Sequence, residues 1–138
     1  MYFLGIDYGT KRIGVAVASD PSRIATPLQV MSVSGKTAPT VADDILDIIR
    51  ACKVNVVVVG ESKDFSGADN PVMKKARQFV SILRNTLGDT VQIIFEPEFL
   101  TTQQATRLQG DHRHIDASAA ALILQSYLDR LGGASREV

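Results

Sequence analysis

Apolar and polar residues follow two different rhythms along the chain, and together they predict most of its elements. Tyr2 to Asp7 and Arg12 to Ser19 (RIGVAVAS) are short runs rich in aliphatic residues. The intervening Tyr8-Gly9-Thr10-Lys11 is brief and holds a glycine, which predicts an antiparallel hairpin. A third strand is expected from Pro27 to Val33. Val54 to Val59 is an uninterrupted apolar run ending at Gly60, the pattern of a strand covered on both faces. A fifth strand is expected from Val91 to Phe95. Helical spacing separates the later strands. Between Thr40 and Ala51, Val41, Ile45, Ile48 and Ile49 make one apolar stripe, and a second runs through Val72, Ala76, Phe79, Val80, Leu83 and Leu87, opened by Pro71 and closed by Gly88. A short helix is expected from Thr101 to Leu108. A last one, from about Asp116 to Leu131, is apolar nearly all round and therefore buried.

Three strands in succession, followed by alternating helices and strands, predict an α/β fold. Its five-stranded mixed sheet joins a three-stranded antiparallel meander to two parallel strands, with helices on both faces. The chain reads as one domain over 1–131 with a flexible tail over 132–138. The polar stretch Glu61 to Asn70 is long for a connection and is expected to border a site or to move.

Composition narrows the function classes. The 138 residues are 45% hydrophobic and 22% charged, and no run approaches the ~18 apolar residues of a membrane span. The amino terminus lacks a basic leader segment and reads as a strand, not a secretory signal. Fifteen basic residues offset fifteen acidic ones, so a polyanion must be met by a local patch, not by overall charge. The single Cys52 excludes an internal disulfide and a cysteine-rich zinc site, as suits a reducing, cytoplasmic setting.

The candidate chemistry lies in the carboxylates. Three of the four glutamates, Glu61, Glu96 and Glu98, fall just past the expected ends of two parallel strands, and Asp7 closes the first strand. In open α/β sheets, loops converge where parallel strands end, so acids far apart in sequence can meet there. Asp116 adds another if the last helix starts beside those ends. Converging carboxylates repel unless they are protonated or hold cations, and oxygen ligands suit Mg²⁺ or Mn²⁺. Paired divalent ions support phosphodiester cleavage.

The opening GIDYGTKRIGVAVAS, the VVVVG run, the segment Glu98-Phe99-Leu100-Thr101-Thr102 and DASAAALILQSYL from Asp116 resemble, in order and over most of the chain, the YqgF/RuvX family. That resemblance implies the RNase H-like fold of Holliday-junction resolvases and the activity of a pre-16S rRNA nuclease. It also implies a catalytic, metal-holding triad of Asp7, Glu98 and Asp116. The sequence departs from the family pattern in three places. Phe99 stands where the family has an arginine, Glu61 follows Gly60 where the family tends to Gly-Leu-Pro, and His112-Arg113-His114 replaces a lysine-rich stretch. All three weaken attraction for a polyanion.

Each residue also has a plainer reading. Asp7 suits a turn and Asp116 a helix N-cap. Glu61 reads as a solvated loop acid or a fourth metal ligand, and Glu96 as a strand end pointing away from Glu98. Gly9, Thr10, Lys11, Arg12 and Arg113 are candidate substrate contacts, with a solvated hairpin tip as the alternative for the two cations. His112 and His114 lack further soft ligands and read as surface residues. The leading expectation is a metal-dependent nuclease for structured nucleic acid, pre-rRNA or branched DNA, acting as a monomer or homodimer away from membranes. Two alternatives compete with it. One is a non-catalytic RNA- or protein-binding member of the fold. The other is half of an actin-like ATPase, because GIDYGT also resembles a first phosphate motif; a chain this short supplies one lobe of the two such enzymes need.

Overall fold

In the computed structural model the described residues are 1–61, 70–97 and 112–136, the last segment with side chains over 118–132. The elements are β1 (Tyr2–Tyr8), β2 (Arg12–Ser19), β3 (Thr26–Ser32), α1 (Ala38–Cys52), β4 (Val56–Glu61), α2 (Pro71–Leu87), a 3-10 turn (Gly88–Thr90), β5 (Gln92–Pro97) and α3 (His112–Arg136). The sheet order is β3-β2-β1-β4-β5. β1 pairs antiparallel with β2, and β2 with β3, while β4 is parallel to both β1 and β5. The expected mixed sheet is present.

Strand alternation divides the apolar residues into two cores. Leu4, Ile6, Val57 and Val59 face α1 and α2, where they pack with Ile45, Phe79 and Leu83. Phe3, Ala16, Val56 and Val58 face the other way and pack with Ala120, Ile123, Leu124 and Leu128 of α3. The continuous valine run of β4 is thus explained: both faces are covered. The helices carry the punctuation their ends require. Asn70 caps α2 by accepting a hydrogen bond from Met73 N–H at 2.9 Å, and Gly88, with φ of 58°, closes it.

Several boundaries differ from expectation. β4 starts at Val56, not Val54, because Lys53 adopts a left-handed φ of 53° and Asn55 Oδ1 accepts from Tyr2 N–H at 2.8 Å, making residues 53–55 a corner. α3 begins at His112, four residues ahead of Asp116, so Asp116 lies within the helix and the N-cap reading of it falls. The helix also runs past Leu131 to Arg136, into the segment expected to be a tail. Gly132 and Gly133 each cost it about 1 kcal/mol relative to alanine, but no proline interrupts it. The short helix expected over Thr101 to Leu108 lies outside the described residues.

Candidate active site at the strand ends

Asp7 is the last α3-facing residue of β1, in line with Phe3 and Gly5, and is half-buried. Its pairing partner on β2 is Gly14. Ile6 pairs with Val59 on β4, which brings Gly60 level with Asp7 on the other side, and Gly60 in turn pairs with Glu96 on β5. Gly14, Asp7, Gly60 and Glu96 therefore form one row across the sheet on one face. Both glycines are buried. Neither neighbour places a side chain beside the Asp7 carboxylate, so only backbone flanks it within the sheet. From the sequence Gly60 reads only as the end of an apolar run, because its place level with Asp7 becomes visible only from the strand register.

Helix α3 crosses this face close to the backbone. A Cβ added at Gly5 would lie 2.7 Å from Leu124 Cβ and 2.8 Å from the Ala120 carbonyl oxygen, so only glycine admits the helix there. Phe3, two residues before Gly5, packs its ring on Tyr127 at 6.4 Å between centroids. α3 thus runs antiparallel to β1. Two residues along β1 from Gly5 is Asp7, and one turn before Ala120 on α3 is Asp116.

The other glutamates have different environments. Glu61 follows Val57 and Val59 in alternation and so stands on the α1/α2 face, opposite to Asp7. Arg77 of α2 donates to its Oε2 at 2.8 Å. The structure does not bring Glu61 to Asp7, and the fourth-ligand reading is dropped. Glu96 shares the face of Asp7 but is 1% exposed, held by Ser126 Oγ at 3.2 Å and by the Arg130 guanidinium. It is a structural carboxylate, charge-paired as burial demands. The sequence signal was Ser126, which together with Gln125 interrupts an otherwise apolar stretch of helix. Its neighbour Gln125 has a similar anchoring part, accepting from Ala25 N–H at 2.9 Å and donating to Arg23 O at 3.1 Å.

At the hairpin tip, Gly9 N–H donates to Arg12 O at 2.9 Å, and Val33 N–H donates to Lys11 O at 2.9 Å. These bonds tie the turn to the chain beyond β3. Thr10 and Lys11 are exposed and Arg12 is half-buried, next to the end of β1. A Cβ on Gly9 would lie 2.6 Å from Arg12 O, so this glycine is required by the turn. Tyr8 points to the other face and packs on Phe79 at 5.3 Å; burial raises its hydroxyl pKa and keeps it neutral. Glu98 and the side chains of Arg113 and Asp116 lie outside the described residues. Among those described, no group of three metal-ligating side chains occurs, and no helix is long and apolar enough to cross a membrane.

Comparison with known proteins is consistent across sequence and fold. The profile of the family described as "RuvX: Holliday junction resolvase" matches residues 1–130. A protein of Sulfurihydrogenibium sp. (strain YO3AOP1) bearing the name "Putative pre-16S rRNA nuclease" is 36% identical over 135 residues, covering 93% of this chain and 90% of its own length. One from Pelotomaculum thermopropionicum with the same name is 34% identical over 145 residues, covering 99% and 92%. Among solved structures, Thermus thermophilus RuvC superposes with a TM-score of 0.65 at 15% identity, covering 96% of this chain and 97% of RuvC. The fowlpox virus Holliday junction resolvase gives 0.64 at 14% identity, covering 94% and 99%. The architecture is thus that of RuvC-type, RNase H-like resolvases.

Proposed function

Because this chain belongs to the RuvX family of Holliday junction resolvases, we propose that it is a divalent-metal-dependent nuclease whose substrate is the precursor of 16S rRNA. The observation that carries the reading is the row at the strand ends: a half-buried Asp7 with glycine on both neighbouring strands, approached by the helix that holds Asp116.

The donor set fits a hard cation. Asp7, with Glu98 and Asp116, would supply only carboxylate oxygens, and Mg²⁺ or Mn²⁺ takes such ligands with water and phosphate completing the shell. When bound, such an ion offsets the charge that develops on a phosphodiester under attack and acidifies coordinated water. The chain's own residues do the rest. Gly14 and Gly60 leave room for the phosphate to approach the sheet, and Gly5 sets the depth of α3 over β1. Thr10, Lys11 and Arg12 at the hairpin tip hold the substrate backbone, phosphate contacts being the part of recognition that positions without reading sequence. Arg113, in the first turn of α3, is assigned to the same role.

A cleavage panel tests the reading. Pre-16S rRNA leader, unstructured single-stranded RNA and a four-way DNA junction are each incubated with Mg²⁺ or Mn²⁺, with wild type and Asp7→Asn. Metal-dependent cutting of the rRNA precursor that Asp7→Asn abolishes is the expected result. Preferential cutting of the junction would replace the RNA substrate with branched DNA. No cutting of any substrate would leave a binding protein without catalysis.

A further inference from the structure

The formal charge of the whole chain is zero, yet charge is unevenly shared between the two helices on one face of the sheet. α1 carries three aspartates and one arginine, whereas the 17 residues of α2 include Lys74, Lys75, Arg77 and Arg84 and no acid. Lys74, Arg77, Ser81 and Arg84 follow helical spacing, so they lie along one line of α2. At a rise of about 1.5 Å per residue that line is about 15 Å long.

This line borders β5, an edge strand of the sheet. The Arg77 and Arg84 guanidiniums lie over the Phe95 ring, at 4.8 and 5.9 Å from its centroid, and Arg84 Nη2 donates to Ile93 O at 3.1 Å. Both arginines are thereby fixed in place, and Arg84, whose guanidinium has five N–H groups, spends one of them on Ile93. Arg77 also binds Glu61, the last residue of β4, so the start of α2 stands at the same end of the sheet as Asp7. Lys74 and Lys75 are exposed one turn closer to that end, and among the described residues neither forms an ion pair. Between them and Arg84 the exposed positions are Gln78 and Ser81, so the face is polar throughout. Protein interfaces have apolar or aromatic centres and few lysines, whereas phosphate backbones are met by basic and hydroxyl side chains in a row.

We infer that the α2 face along β5 is a second contact surface for the nucleic-acid backbone, on which Lys74, Lys75 and Arg84 neutralise phosphates of a substrate arm leaving the strand-end site. The inference rests on the proposed nuclease reading and extends it to a part of the molecule outside that site. It also supplies a counterpart for the basic residues that the segment before Asp116 lacks.

The test is the salt dependence of binding to the pre-16S rRNA leader, without divalent metal, for wild type, Lys74→Ala/Lys75→Ala and Lys74→Glu/Lys75→Glu. A control removes two cations from the opposite end of α1, Arg50→Ala/Lys53→Gly, with glycine chosen for the left-handed φ of Lys53. The alanine pair is expected to weaken binding about tenfold at roughly 0.1 M salt and to make log K against log [salt] shallower by about 1–2, the signature of two lost phosphate contacts. The glutamate pair weakens it further, and the control matches wild type. Unchanged thermal unfolding shows that the variants are folded. If wild type binds and the lysine variants bind with the same affinity and slope, this surface is not used and the nuclease reading stands. If wild type binds neither this RNA nor a DNA junction, both fall together.

Discussion

Gly5 and Leu124 stand so close that a Cβ on the glycine would be 2.7 Å from the leucine Cβ. This contact seats α3 on β1 one step from Asp7 along the strand. Gly5→Ala is expected to push the helix outward and to destabilise the protein by about 1–3 kcal/mol, the usual cost of overpacking. Urea denaturation measures it. An unchanged midpoint would mean that α3 does not rest on β1 at this depth.

Glu96 and Arg130 hold the other side of α3. Arg130→Leu leaves a carboxylate that is 1% exposed with, among the described residues, only Ser126 as its partner. Because the Arg130 side chain is 62% exposed, screening reduces the loss to about 1–3 kcal/mol. Adding Glu96→Leu should recover part of it, since the uncompensated charge is then gone. The double-mutant cycle in urea would refute the pairing if the two losses simply added.

Glu61→Gln separates a structural ion pair from a metal ligand. Glu61 faces α2 and binds Arg77, with side chains 23% and 36% exposed, so the change should cost less than about 1 kcal/mol and leave Mn²⁺ affinity at the wild-type value. A drop in metal affinity would return Glu61 to the site.

Gly9→Ala forces a Cβ to within 2.6 Å of Arg12 O, so the turn bearing Lys11 and Arg12 must rearrange. Weaker binding of nucleic acid is expected, with a stability loss of about 1–2 kcal/mol. Binding equal to wild type would remove the tip from the substrate surface.

The strands and the first two helices were legible because each is a local pattern: alternation, an apolar run or a helical stripe, with Pro71 opening and Gly88 closing α2. Where the pattern is not local the reading failed. Nothing in Asn55 or Lys53 announces a corner; it arises from hydrogen bonds to Tyr2, 53 residues away. The polar His112 to His114 hid the first turn of α3, because these residues carry none of the apolar pattern by which the rest of the helix is read. The same limit applies at the site. Asp7 stood out as an acid closing an apolar strand, but the faces of Glu61 and Glu96 depend on where each strand starts its alternation. Residue 61 turns towards Arg77, and residue 96 towards Ser126 and Arg130. The glycines flanking Asp7 became meaningful only once β2 and β4 were paired to β1.

Direct titration of Mn²⁺ into the protein, followed by calorimetry or by the signal of the free ion, bears most closely on the proposal that Asp7, Glu98 and Asp116 hold one divalent cation. Wild type should bind, and Asp7→Asn and Asp116→Asn, each removing one anionic ligand, should each weaken binding by roughly tenfold or more while thermal unfolding without metal stays close to wild type. Equal Mn²⁺ affinity in wild type and both variants would contradict it.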